Sequence, residues 1–153
     1  MYLAQVAPQI GMGRTPAAAL ALLAEARALL PLSPAAQDYD QMNALLEIAR
    51  VFSRYDTKRA FEIVDPLIDQ FNEICVAART VNGFGGEYFE DDELNMKDGN
   101  GIGNVGSRVT EVLGGLATTN FERAKAASDR LRLPEVRLKA YLDIAQQTIQ
   151  GVN

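Results

Sequence analysis

Hydrophobic residues recur at intervals of three and four along most of the chain, which is the period of a helix with one buried face. Capping residues mark helix starts, such as Thr15 before Pro16 and Asp56 before Thr57. Together they predict six helices, over about residues 15–30, 37–54, 57–78, 107–118, 121–131 and 134–150. The pattern therefore favours an all-α fold.

Two of the predicted helices show an apolar stripe with particular clarity. In the second helix, one face carries Met42, Leu45, Leu46, Ala49 and Phe52. In the last helix, polar residues oppose a stripe of Leu138, Tyr141, Leu142, Ala145 and Ile149. This one-sided pattern predicts that the last stripe is buried and that the polar face meets solvent, as in the terminal helix of a stack.

A short phrase, an acidic residue between apolar neighbours, recurs at Glu47, Glu111 and Asp143. The first two copies are 64 positions apart, and the last two are 32 apart. At the same offset of 64, residues 56–60 (Asp-Thr-Lys-Arg-Ala) match residues 120–124 (Asn-Phe-Glu-Arg-Ala). Recurrence at a fixed spacing predicts structural repeats.

Short-linked antiparallel helix pairs with this spacing resemble the tetratricopeptide-like α-solenoid repeats, whose period is about 34 residues. The Asp-x-x-Arg-Ala turn is similar to repeats in poorly characterised bacterial proteins. The resemblance implies one domain over residues 1–153, with stacked helical repeats at 14–78 and 107–150. It also implies a non-catalytic scaffold that binds a protein or peptide partner, but it supplies no site residue.

The first spacing of 64 residues is twice the second spacing of 32, so about one repeat length of extra chain lies between the first two copies. Residues 79–106 match this extra length. This segment holds seven of the twelve glycines and six carboxylates. Long segments without regular structure are usually functional or disordered. We therefore expect an acidic, glycine-rich insertion that is solvated, with Tyr88 and Phe89 as groups that could dock on a partner. The candidate partner-binding residues are Tyr88, Phe89, Glu87, Glu90, Asp91, Asp92, Glu93 and Asp98.

An alternative function for the same segment is a small-molecule or metal-binding regulatory domain. Its carboxylates are hard oxygen ligands of the kind that Ca²⁺ prefers. Their spacing differs from that of the twelve-residue calcium loop, so we assign no metal ligand. Residues 101–106 also satisfy the G-x-G-x-x-G pattern, but no apolar strand precedes them, and we interpret the match as chance.

Catalysis has little support in the sequence. The chain has no histidine, which is the commonest general base and transition-metal ligand. Cys75 falls on a helix stripe with Leu67 and Phe71, which predicts a structural thiol. We therefore expect no enzyme activity, no catalytic residue and no cofactor. Five arginines recur near helix ends and turns: Arg50, Arg54, Arg59, Arg123 and Arg137. We interpret them chiefly as members of solvent-exposed ion pairs on helix faces, and the alternative is that they line an anion-binding groove.

The formal net charge is −5, which disfavours a nucleic-acid partner, because that binding needs clustered Lys and Arg. The longest strongly apolar stretch, 16–24, is nine residues, well short of the roughly 18 that span a bilayer, so no membrane span is predicted. A single cysteine slightly favours the cytoplasm and leaves export with a removed leader open. Self-association through an open end of the stack is a further expectation, and whether the chain is a piece of a longer array stays open.

Overall fold

The computed structural model describes residues 16–30, 35–84, 86–96 and 101–150. The predicted cap Thr15 and the candidate Asp98 lie outside these residues. The described part contains six helices and one two-stranded hairpin: α1 (Pro16–Ala28), α2 (Tyr39–Phe52), α3 (Thr57–Thr80), β1 (Phe89–Glu90), β2 (Glu93–Leu94), α4 (Gly101–Ala117), α5 (Phe121–Asp129) and α6 (Pro134–Gln150). The predicted all-α class is confirmed. None of the described helices has the length and hydrophobicity needed to cross a membrane.

Helix α4 lies at the centre of the packing and contacts α2, α3, α5 and α6. Helix α1 packs against α2, and α2 also packs against α3. The largest fully buried side chains include Phe52, Phe61 and Phe71 from α2 and α3, and Leu113 and Leu116 from α4. Burying such large apolar side chains contributes roughly 1.5–3 kcal/mol each to the folded state, before the entropy of ordering them is counted.

The turns before α3 and α5 have the same geometry. The caps Asp56 (φ −149°, ψ 81°) and Asn120 (φ −147°, ψ 81°) adopt almost identical backbone angles. Each side-chain oxygen accepts a hydrogen bond from the backbone N–H three residues later, at 3.1 Å to Arg59 and at 3.1 Å to Arg123. These bonds satisfy N–H groups that have no partner inside the helix. The predicted cap at Asp56 is confirmed, and its copy 64 residues later has the same structure.

The acidic segment 79–106 has more regular structure than the sequence predicted. Helix α3 extends to Thr80, and α4 begins at Gly101, six residues before the predicted start. Between them, Phe89 pairs with Leu94 and Glu90 with Glu93 across a hairpin. The two residues at its tip, Asp91 and Asp92, both have positive φ (49° and 67°), as a two-residue hairpin turn requires.

The glycines of the G-x-G-x-x-G match lie inside helix α4, where they allow close packing. A Cβ atom at Gly103 would collide with the backbone carbonyl of Asn95, just after the hairpin. Glycine has low helix propensity, so the sequence predicted a loop here. Tertiary packing overrides that propensity, because the neighbouring Ile102 and Val105 are buried in the core.

The predicted face of α2 is correct, whereas the predicted face of α6 is wrong. Met42, Leu45, Leu46, Ala49 and Phe52 are all buried. In α6, by contrast, the residues in the core are Val136, Ala140 and Ile144, and every member of the predicted stripe is exposed: Leu138, Tyr141, Leu142, Ala145 and Ile149.

The reason for the reversal is the close approach of α6 to α4. At Gly114 of α4, an added Cβ atom would lie 3.1 Å from the backbone oxygen of Asp143 in α6. The small side chain of Ala140 is fully buried, so α6 uses a narrow face of small and branched residues for packing. The larger side chains therefore point away from the core.

Candidate binding cleft

The aromatic residues of the predicted partner-binding segment are held against the protein. Phe89 is only 7% exposed, and the guanidinium of Arg79 lies 4.9 Å from the centre of its ring. The side-chain oxygen of Asn82 accepts hydrogen bonds from the backbone N–H groups of Tyr88 (2.8 Å) and Phe89 (3.0 Å). Phe89 is thus a core residue and not an exposed docking group, while Tyr88 is half-buried.

The carboxylates of the same segment lie on the surface and do not converge. Exposed positions are occupied by Glu87, Glu90, Asp91, Asp92 and Glu93. No group of three or more Asp, Glu, Cys or His side chains is close enough to hold a metal ion within the described ranges. The hairpin is anchored instead by the backbone N–H of Leu94, which donates to Oε1 of Glu135 in α6 at 2.8 Å.

A polar cleft of about 630 Å³ lies across helices α2, α4 and α6, near the turns that cap α3 and α5. It is near the C-terminal ends of α4 and α6, whereas the acidic hairpin contacts the beginning of α6. The residues that line it are Arg50, Ser53, Arg54, Glu111, Gly115, Thr118, Thr119 and Gln147. The sequence offered an anion-binding groove at Arg50 and Arg54 only as an alternative and did not place the cleft, because its residues come from three separate stretches of the chain.

The buried carboxylate of Glu47 binds Arg50 and lies close to Arg108, next to the cleft. Nε of Arg50 donates to Oε2 of Glu47 at 3.0 Å, and Nη1 of Arg108 is 3.9 Å from the same oxygen. The hydrogen bond from Arg50 is the main cause that lowers the pKa of Glu47. Glu47 is therefore ionised at neutral pH and holds two guanidinium groups beside the cleft.

The charge of Arg54 contributes to the lowered pKa of Glu47, without a hydrogen bond between the two side chains. The Arg54 side chain is exposed, and it forms no ion pair or side-chain hydrogen bond with any residue that the structure describes. Two guanidinium groups (Arg50 and Arg54) and one carboxylate (Glu111) line the cleft. The adjoining Glu47 and Arg108 carry opposite charges, so this region is net positive in a chain of net charge −5. The cleft is thus suited to a negatively charged group.

The hydroxyl groups of the cleft supply hydrogen-bond acceptors. Oγ of Ser53 donates to the backbone oxygen of Arg50 at 2.7 Å, and Oγ1 of Thr118 donates to that of Gly115 at 2.8 Å. Because each hydroxyl proton is already used, the oxygen lone pairs remain to accept from a ligand. The cleft therefore places guanidinium donors beside hydroxyl oxygens that can accept hydrogen bonds.

Cys75 lies in a different environment from the cleft. Burial raises the pKa of its thiol to about 12, and the side chain is nearly inaccessible. A thiol with such a pKa keeps its proton at neutral pH and is a poor nucleophile.

Comparison of the chain with protein-family models, curated protein sequences and solved structures found no match.

Proposed function

We propose that this protein is a helical-repeat module that binds an acidic peptide segment of a partner protein in the cleft across α2, α4 and α6. The observation that carries the proposal is the exposed guanidinium of Arg54, which forms no ion pair within 4 Å with a described residue, beside the Arg50–Glu47–Arg108 cluster. A charge-assisted hydrogen bond from arginine to a carboxylate is about twice as strong as a neutral one. The role is recognition without catalysis.

A tetratricopeptide-like stack is the architecture we propose for this module. Its support is the matching geometry of the Asp56 and Asn120 turns, and the position of α4 between α2 and α6. In such a stack, the first helices of successive pairs form one continuous surface. Here these helices are α2, α4 and α6, and the cleft is lined by residues of all three.

The test is selection of short random peptides on the immobilised protein, followed by affinity measurement of the selected peptides. We expect enrichment of Asp and Glu in the selected sequences. The substitution Arg54→Glu should weaken their binding by about tenfold or more, because it replaces an attractive charge with a repulsive one. Affinity should also fall with added salt, since the cleft is open to solvent.

The matched control is Arg132→Glu. Arg132 is exposed, lies outside the cleft, and its substitution changes the net charge by the same amount. Peptides that bind through the cleft should tolerate this change. Selection of no peptide, or of peptides whose affinity is equally sensitive to both substitutions, would contradict the proposal.

A further inference from the structure

The recurring acidic phrase places one carboxylate on each of α2, α4 and α6, and two of the three have a basic partner on their own helix. Glu47 of α2 accepts a hydrogen bond from Nε of Arg50 at 3.0 Å. Asp143 of α6 accepts one from Nζ of Lys139 at 2.7 Å. Glu111 of α4 is exposed, and its side chain forms no hydrogen bond or ion pair with a residue that the structure describes. The middle carboxylate is therefore available to a ligand.

The residues around Glu111 explain why it differs from the other two copies. The position three residues later, which is Arg50 in α2, is Gly114 in α4. A Cβ atom added to Gly114 would lie 3.1 Å from the backbone of α6, so this position favours the smallest residue. Arg108, three residues before Glu111, has its guanidinium 3.9 Å from the carboxylate of Glu47 instead. Neither neighbour on the helix therefore neutralises Glu111.

Glu111 and Arg54 lie on two different helices that line the cleft, and their relative position follows from their neighbours. The charge of Glu111 acts on Arg50 and contributes to its raised pKa. One turn later, a Cβ atom added to Gly115 would lie 3.6 Å from Oγ of Ser53. Both pairs run in the same direction along α2 and α4. Arg54 thus lies about one helical turn, or about 5.4 Å, beyond Glu111 along the helix axes.

We propose that the peptide segment bound in the cleft carries a lysine or arginine within about two residues of its acidic side chain, with Glu111 binding this cation while Arg54 binds the carboxylate. In an extended peptide, side chains two residues apart point to the same side and are about 6.6 Å apart, which is close to the separation of the two charges along the helices. This inference rests on the proposed function and names the second charge that the partner carries.

A segment with acidic side chains alone fits the cleft less well. Arg54 would attract its carboxylates, and Glu111 would repel them. The hydroxyl protons of Ser53 and Thr118 are donated to backbone oxygens, so their own oxygens accept hydrogen bonds. A lysine or arginine supplies the N–H donors that these oxygens need, whereas an ionised carboxylate has no proton to donate. A partner with both charges is complementary to both sides of the cleft.

The first test is the composition of the peptides that the immobilised protein selects from a random library. We expect Lys or Arg to be enriched within about two residues of the selected Asp or Glu. Enrichment of Asp and Glu without Lys or Arg would overturn this inference and leave the proposed function standing. Selection of no acidic peptide would overturn both.

The second test isolates Glu111 by isothermal titration with two synthetic peptides, a selected one and its variant with the basic residue replaced by glutamine. Glu111→Gln should weaken the binding of the first peptide about two- to fivefold, as expected for the loss of an exposed ion pair. It should strengthen the binding of the second peptide, because it removes a repulsive charge from the cleft. A general loss of structure would instead weaken both.

The matched control is Glu73→Gln, at an exposed glutamate of α3 outside the cleft, because it changes the net charge by the same amount. This substitution should leave the ratio of the two affinities unchanged. An equal effect of Glu111→Gln on both peptides, or the same change of ratio with Glu73→Gln, would overturn the inference.

Discussion

Helices α2 and α6 carry the same short phrase, yet their equivalent apolar residues lie in opposite environments. In α2, the stripe is buried among α1, α3 and α4. In α6, the equivalent stripe is exposed, and a narrower face of small residues contacts α4. The difference shows that an apolar period identifies a helix, while the choice of buried face depends on which neighbours are present to cover it.

The largest expected difference between the two helices is in the free energy of unfolding when the equivalent leucines, Leu46 and Leu142, are each replaced by alanine. Leu46→Ala should lower the free energy of unfolding by about 2–5 kcal/mol, because it leaves a cavity in a packed core. Leu142→Ala should change it by less than about 0.5 kcal/mol, because the side chain is exposed. Urea unfolding of both variants at low protein concentration measures the contrast. Similar losses at the two sites would contradict it.

A second effect depends on Cys75, a buried residue of α3, the helix that packs against α2. Burial raises the pKa of its thiol from 9.0 to about 12. Between these values the unfolded chain loses the proton and the folded chain keeps it, so the free energy of unfolding falls as pH rises. At about pH 10 the loss from this group should be about 1.4 kcal/mol.

Urea unfolding at about pH 8 and about pH 10 measures this effect. The control is Cys75→Ala, in which the other titrating groups are unchanged. Its loss of stability over the same interval should be smaller by about 1.4 kcal/mol. Equal losses in the two proteins would mean that the thiol is not shielded in the folded state.

A smaller pair of effects compares the two helix-capping turns. Asp56→Ala and Asn120→Ala each remove one hydrogen bond to the first turn of a helix, and each should cost about 1 kcal/mol. Because the two turns have the same geometry, the two losses should be similar. Thermal unfolding of both variants measures them, and a large loss at one turn with none at the other would contradict the structural equivalence.

Much of the fold could be predicted from local signals. The caps, the helix periods and the offset of 64 are all readable over a few residues, and they located α2, α3 and α5 closely. The start of α4 could not be predicted in this way, because Gly101, Gly103 and Gly106 have low helix propensity, and the close neighbours that favour glycine there, such as Tyr39 and Phe71, come from other helices.

The candidate site was less predictable than the fold. The sequence predicted partner-binding residues in the acidic segment 79–106, but one of them, Phe89, is a core residue. The cleft combines Arg50 and Arg54 with residues of α4 and α6, and only the packing of these helices brings them together. Arginines such as Arg54 are common on helix surfaces, so their convergence is visible only in three dimensions.

The most direct test of the contrast between α2 and α6 is the reactivity of a single thiol at each equivalent position. Leu46→Cys and Leu142→Cys would each be made with Cys75→Ala, and their reaction with a thiol reagent would be followed at low protein concentration. The structure predicts rapid reaction at position 142 and reaction at position 46 only through unfolding. Equal rates, or protection at position 142 in the monomer, would contradict the open face of α6.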